Sequence, residues 1–208
     1  MSTNANPQVP TVYVVDDDAS IRESLSSLIR SAGMAVEVFE SPMAFLALDK
    51  LVDYACLVLD VRMPGLDGLA LQEKLAESGR EIPIIFVTGH GDVPLAVRAM
   101  KAGAIDFLNK PFNDTDLLQA ISHALSRVSA ASDERTALAN FRVRFDTLTP
   151  REKQIMFEVA QGKQNKRIAY DLNVTESTVK VHRHNVMSKL QLRSIAELAL
   201  AIQQLKKP

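Results

Sequence analysis

Residues 12–15, 36–39, 55–59, 82–87 and 104–108 are short runs rich in Val, Ile, Leu and Phe, and stretches with helical spacing of apolar positions separate them. This alternation constrains the fold more than any other feature of the chain. Near-continuous apolar strands are buried on both faces, and intervening helices supply the crossovers that parallel strands need. The helical intervals are 20–32, 42–50, 66–77, 93–102 and 115–127, and Gly33, Gly79 and Gly103 follow three of them, where a left-handed C-terminal cap is wanted. The expectation is an α/β fold, a five-stranded doubly wound parallel sheet in the order 2-1-3-4-5.

Polar residues mark the downstream ends of these runs. Asp16 and Asp17 end the first, Asp60 the third, Thr88 the fourth and Lys110 the fifth. In a parallel sheet these ends share one rim, and the order 2-1-3-4-5 places the topological switch between strands one and three, where ligands bind. The three acids therefore converge. Two carboxylates about 4 Å apart repel by roughly 1 kcal/mol in water and about 4 kcal/mol at an effective dielectric of 20, so the cluster calls for a cation. Oxygen-only ligands open to water favour Mg2+, with Mn2+ as a substitute, and such an ion accepts a phosphate oxygen. Thr88 offers a hydroxyl and Lys110 an ammonium to that phosphate. Pro111 follows Lys110, and an X-Pro bond adopts cis at modest cost, a means of holding the lysine at the pocket.

At 208 residues the chain is longer than one modest core needs, and 47% apolar residues can fill two. The net charge of -1 conceals an asymmetry: residues 1–125 carry 9 Lys/Arg against 17 Asp/Glu, residues 146–208 carry 11 against 6. An acidic front half and a basic back half fit a metal- or phosphate-handling module joined to one that meets a polyanion. The single cysteine, Cys56, lies inside an apolar run and reads as a buried thiol. No stretch approaches the roughly 20 apolar residues of a membrane span, and the polar start lacks a signal-peptide core, so a cytoplasmic protein is expected.

Residues 128–145 read as a linker compatible with a helical extension of the fifth helix, between a domain at 1–127 and another at 146–208. Only helical patterns remain after Thr149: Thr149, Pro150 and Glu152 form a capping-box start, Gly162 stops that helix, and helices follow at 165–172, 176–190 and 194–205. Two short-linked helices of this kind fit a helix-turn-helix, and Lys180, His182, Arg183, His184 and Lys189 crowd the second member while Val179, Val186 and Leu190 give it an apolar side.

The segments VVDDD (14–18), LVLDVRMPGLDG (57–68), FVTGHGD (86–92) and AIDFLNKPF (104–112), in this order and at strand ends, resemble the receiver domain of bacterial two-component response regulators. TPRE (149–152), NKRIAYDL (165–172) and STVKVHRHNVMSKL (177–190) resemble the LuxR/NarL type of DNA-binding domain, and the combination resembles the FixJ branch. The resemblance implies that Asp60 is the phosphoacceptor. It makes Asp17 the principal side-chain Mg2+ ligand beside it, with Asp16 acting largely through water and Arg62 through its backbone carbonyl. Thr88 and Phe107 would move together on phosphorylation, and Arg62 and His90 would tune hydrolysis of the acyl phosphate. Lys180, Val181 and His184 would face base edges, while Asn165, Lys166, Ser177, Thr178, Arg183 and Lys189 would mostly meet phosphates. The implied partners are a sensor histidine kinase, double-stranded promoter DNA, RNA polymerase and a second copy of the chain. Such a protein assists its own modification and is a switch rather than an enzyme.

Simpler roles compete. Asp18 and Asp67 fit helix caps, His182 fits packing, and Phe107 fits ordinary core. An Mg2+-dependent phosphohydrolase would also use an acidic cluster with Thr and Lys, but its second acid belongs two residues after the nucleophile, where this chain has Arg62. A protein-binding adaptor would not need the basic final segment.

Overall fold

A computed structural model describes residues 9–89 and 93–205. The chain divides into two compact units, the boundary falling between Ala131 and Ser132, each with its own core.

In the first unit the strands are β1 (Thr11–Val15), β2 (Ala35–Phe39), β3 (Ala55–Asp60), β4 (Ile84–Thr88) and β5 (Asp106–Asn109). All pairings are parallel and the order is β2-β1-β3-β4-β5, as expected. The helices are α1 (Ala19–Ser31), α2 (Pro42–Leu46), α3 (Gly68–Glu77), α4 (Val93–Lys101) and the first part of α5 (Asp114–Asp146), whose residues from Ser132 onward belong to the second unit. Strand residues alternate between two cores: Tyr13, Val15, Leu57, Leu59 and Phe86 pack on one side of the sheet, and Val12, Val14, Cys56, Val58, Ile85 and Val87 on the other. Burial on both sides is why the central strands are apolar throughout. Cys56 is fully buried, which pushes its thiol up to about 12 and leaves it unreactive. Gly33, Gly79 and Gly103 have φ of +81°, +69° and +94°, the left-handed caps expected of them.

Several boundaries differ from expectation, three of them for reasons that lie in the packing and hydrogen bonds around them. Helix α2 ends at Leu46 rather than residue 50, because Leu48 and Leu51 turn inward to cover the first core. β4 starts at Ile84, after Pro83, which has no N–H to give the ladder but whose carbonyl accepts from Leu57 at 2.9 Å. β5 starts at Asp106, because the Ala104 N–H closes the end of α4 on the Ala99 carbonyl at 3.1 Å. Helix α5 continues without a break through residues 128–145.

The second unit contains α6 (Pro150–Ala160), α7 (Asn165–Asp171), α8 (Glu176–Leu190) and α9 (Ile195–Leu205). Ile155, Met156, Ile168, Val179, Val186, Leu190 and Leu198 form its core, closed by Phe141 and Leu148. The capping box at Thr149 and Glu152 is present in full.

Candidate functional site

Strand register gathers the acids. Val15 pairs with Leu59 across β1 and β3, so Asp16 and Asp60 emerge side by side; Thr88 pairs with Asn109, so Lys110 follows onto the same rim. Carboxylate oxygens of Asp16, Asp17 and Asp60 lie within 4.8 Å of one another. Asp16 and Asp60 are buried, while Asp17 is exposed. The Lys110 ammonium is 2.6 Å from Asp16 Oδ2 and 3.8 Å from Asp60 Oδ1, and the Lys110–Pro111 bond is cis. Thr88 is buried, and its carbonyl accepts from the Lys110 N–H at 2.8 Å.

Local structure holds each acid in place. The Asp18 N–H donates to Asp16 Oδ1 at 2.9 Å, and the Asp18 carboxylate caps α1 by accepting from Ser20 and Ile21. Asp67 caps α3 in the same way. Both are the caps that the simpler reading made them. The Val61 N–H donates to Asp60 Oδ1 at 2.9 Å. Burial raises the Asp60 carboxyl above its ordinary value; the charge of Lys110 opposes the rise, Asp16 adds to it, and the Val61 and Arg62 N–H groups oppose it. Beside these acids, Asp17, Val61, Arg62, Met63, Pro64, Asp67 and Leu95 line a solvent-open pocket of about 540 Å³. Phe107 is half-buried, its ring centroid 6.2 Å from that of Phe86. His90 lies outside the described residues.

Three carboxylates and one ammonium leave two formal negative charges, and the donors are all oxygen. A hard divalent cation fits this set.

Two residues with no part in the expected site also shape it. The Arg22 guanidinium donates to the Asp16 carbonyl at 2.7 Å and pins the loop after β1. Gly68 packs so closely that a Cβ there would lie 2.4 Å from the Asp60 carbonyl oxygen. A glycine eight residues after Asp60 was visible in DVRMPGLDG, but only the fold shows what it must clear.

In the second unit, Thr175 caps α8 by accepting from Thr178 at 3.1 Å, and its hydroxyl also meets those of Ser177 and Thr178 at 2.7 and 2.8 Å. Val179, Val186 and Leu190 face the core, which leaves Ser177, Lys180, Val181 and His184 exposed along the opposite side. Lys166 is exposed on α7. Arg183 donates to Asn165 and so ties α8 to α7. Lys189 donates to Glu152 Oε2 at 2.7 Å and ties α8 to α6. Arg183 and Lys189 therefore carry bonds inside the unit in addition to any they make outside it.

The Lys189 hydrogen bond is the largest of the effects that lower the Glu152 carboxyl, and burial opposes it. An acid depressed by folding contributes stability that is complete above its unfolded value, here 4.5, and is lost as pH falls through its folded value. Amide protection in α6 and α8 should therefore hold from pH 7 to 5 and decline below about 4.5. Lys189→Met should weaken that decline and cost about 1 kcal/mol, a charged hydrogen bond discounted for the partly exposed lysine. An unaltered acid profile in the variant would show that the pair does not carry it.

A switch-point acidic pocket in a doubly wound domain, followed by a helix-turn-helix, defines a transcriptional regulator of two-component systems. The model of the response regulator receiver domain matches residues 12–122, and that of bacterial regulatory proteins of the luxR family matches residues 146–202. The chain belongs to the response regulators that join a receiver to a LuxR-type DNA-binding domain. It is 46% identical to the response regulator protein TmoT of Ectopseudomonas mendocina over 97% of this chain and 91% of that one. It is 43% identical to the transcriptional regulatory protein FixJ of Bradyrhizobium diazoefficiens over 90% and 91%. Among solved structures, that of the response regulator StyR aligns with a TM-score of 0.76 at 47% identity, covering 94% of this chain and 99% of that one. Among the described residues, no helix is long and apolar enough to cross a membrane.

Proposed function

We propose that Asp60 accepts a phosphoryl group from a phosphohistidine of a sensor histidine kinase, and that this modification drives dimerisation and control of promoter DNA. The observation that carries the reading is the convergence of Asp16, Asp17 and Asp60 within 4.8 Å, with Lys110 at 2.6 Å from the first and 3.8 Å from the last. An Asp60 carboxylate oxygen attacks phosphorus; the P–O bond forms, the P–N bond breaks and the imidazole leaves with its electron pair. Burial that raises the carboxyl's basicity favours it as nucleophile. Asp17 and Asp60, with the Arg62 carbonyl and Asp16 through water, are the residues to hold Mg2+ or Mn2+, which supplies charge neutralisation at the phosphoryl oxygens. Lys110 pairs with another of those oxygens, and the Thr88 hydroxyl swings to donate to the phosphoryl group while the half-buried Phe107 ring follows it inward. Arg62 and His90 set how long the acyl phosphate lasts.

The output face is α4 and β5. Val93, Val97 and Met100 are exposed on α4 at helical spacing, an apolar stripe for a second copy. In the dimer, Lys180, Val181 and His184 read base edges in two half-sites, while Asn165, Lys166, Ser177, Thr178, Arg183 and Lys189 hold phosphates. RNA polymerase is the further partner at the promoter, and the cytoplasm is the compartment. The domains are a receiver at 1–127, a helical linker at 128–145 and the DNA-binding domain at 146–208.

The test is a gel shift and footprint on neighbouring promoter DNA with and without acetyl phosphate, beside size-exclusion chromatography. Acetyl phosphate should produce a dimer and tighten operator binding. Lys180→Ala or His184→Ala should cost about 1–3 kcal/mol on the operator and less on random DNA. Equal losses on every sequence would remove these residues from base reading. Binding should weaken steeply with salt.

A further inference from the structure

Gln72 is a polar residue on the inner side of α3, 5% exposed. Its Nε2 donates to two carbonyls near the end of α4, that of Ala99 at 3.4 Å and that of Ala102 at 3.1 Å. Its Oε1 is buried and has no hydrogen-bond partner among the described residues. A buried acceptor without a partner weakens the arrangement that confines it, because any displacement that admits water satisfies it. The helix on the other side of these bonds is lightly anchored. Ala99 is the one fully buried residue of α4, Leu95 and Ala96 are half-buried, and Val93, Val97 and Met100 are exposed.

We propose that Gln72 is the latch that holds α4 in its resting position, a positioning residue that sets how readily the α4 and β5 face rearranges. Its two donated bonds keep the last turn of α4 against α3, and its unsatisfied oxygen keeps that hold releasable. The link to output rests on the reading of Asp60 as phosphoacceptor; the latch itself does not.

Hydrogen exchange on the unmodified full-length protein tests the latch. Gln72→Met keeps length and removes the donor, and Gln72→Glu keeps shape while setting a carboxylate against two carbonyl oxygens. In either variant the amides of Ala102, Gly103 and Ala104, which close the end of α4, should exchange at least about tenfold faster, while those of β1 and β3 stay as they were. The acetyl phosphate concentration for half-maximal dimer should fall by about threefold or more, since a released α4 raises the competent population. Unchanged exchange at these amides in whichever variant folds overturns the latch. Faster exchange with an unshifted dimer response, while mass spectrometry shows Asp60 fully labelled, overturns its link to output. Absent labelling of Asp60 in the parent protein overturns the phosphoacceptor reading instead, and the exchange result still decides the latch.

Discussion

Asp60→Asn should abolish labelling by acetyl phosphate and leave the fold intact. An amide oxygen is a poor nucleophile toward phosphorus, so the labelling rate should drop by at least about three orders of magnitude, the scale of removing a nucleophile outright. The substituted side chain has nearly the same shape, and its oxygen can still accept from the Val61 N–H, which donates to Asp60 Oδ1 at 2.9 Å in the parent. One charge leaves a cluster of three carboxylates, relieving a repulsion of order 1–4 kcal/mol. The attraction of Lys110 at 3.8 Å is lost with it. These terms oppose each other, so the melting temperature should hold or rise slightly. Burial raises the Asp60 carboxyl, so its ionised form is less stable folded than unfolded, and the parent's disadvantage should grow as pH rises through the carboxylate range. Intact-mass spectrometry after acetyl phosphate treatment, with a thermal melt of each protein, reads both effects. One labelled site surviving in the Asn variant would remove Asp60 from its assigned role.

The site was legible in the sequence because its residues end strands, and the strands were legible because both of their faces are buried. Val12, Val14, Cys56, Val58 and Ile85 pack on one side of the sheet and Tyr13, Val15, Leu57 and Leu59 on the other, so the apolar runs stop where the chain leaves the sheet. An acid at that point stands out. Boundaries were less legible wherever a neighbour distant in sequence decided them. Leu48 and Leu51 have helical spacing with the α2 residues, yet the first core draws them out of the helix. Ala104 looks like strand and is spent on closing α4. The basic residues of α8 were legible as a group, but their internal bonds were not: Asn165 lies 18 positions from Arg183, and Glu152 lies 37 from Lys189. Periodicity within a helix carries no information about such partners. The same holds for Gln72, whose place on α3 reads as ordinary until α4 is set beside it.

Gly68→Ala should separate the placement of Asp60 from the general stability of its domain. A Cβ at this position would lie 2.4 Å from the Asp60 carbonyl oxygen and 3.1 Å from Val61 Cα. Both are backbone atoms, so no rotamer change relieves the overlap. The Gly68 N–H also donates to the Val61 carbonyl at 2.9 Å, which ties the start of α3 to the end of β3. The displacement must therefore pass into the segment that carries Asp60. Overpacking of this kind costs about 1–3 kcal/mol, and acetyl phosphate labelling, which on the proposed function depends on the placement of Asp60 against Asp16, Asp17 and Lys110, should fall by about tenfold or more. Gly79→Ala is the control. Gly79 has φ of +69° at the far end of the same helix, and a Cβ there meets nothing within 4 Å. Its cost is the left-handed backbone of an L residue, about 1–2 kcal/mol. The two variants should lose similar stability, while only Gly68→Ala loses labelling. If both label at the parent rate, β3 tolerates the displacement and the close approach at Gly68 serves packing alone; if both lose labelling in proportion to stability, the domain responds as a whole and Gly68 has no special bearing on Asp60.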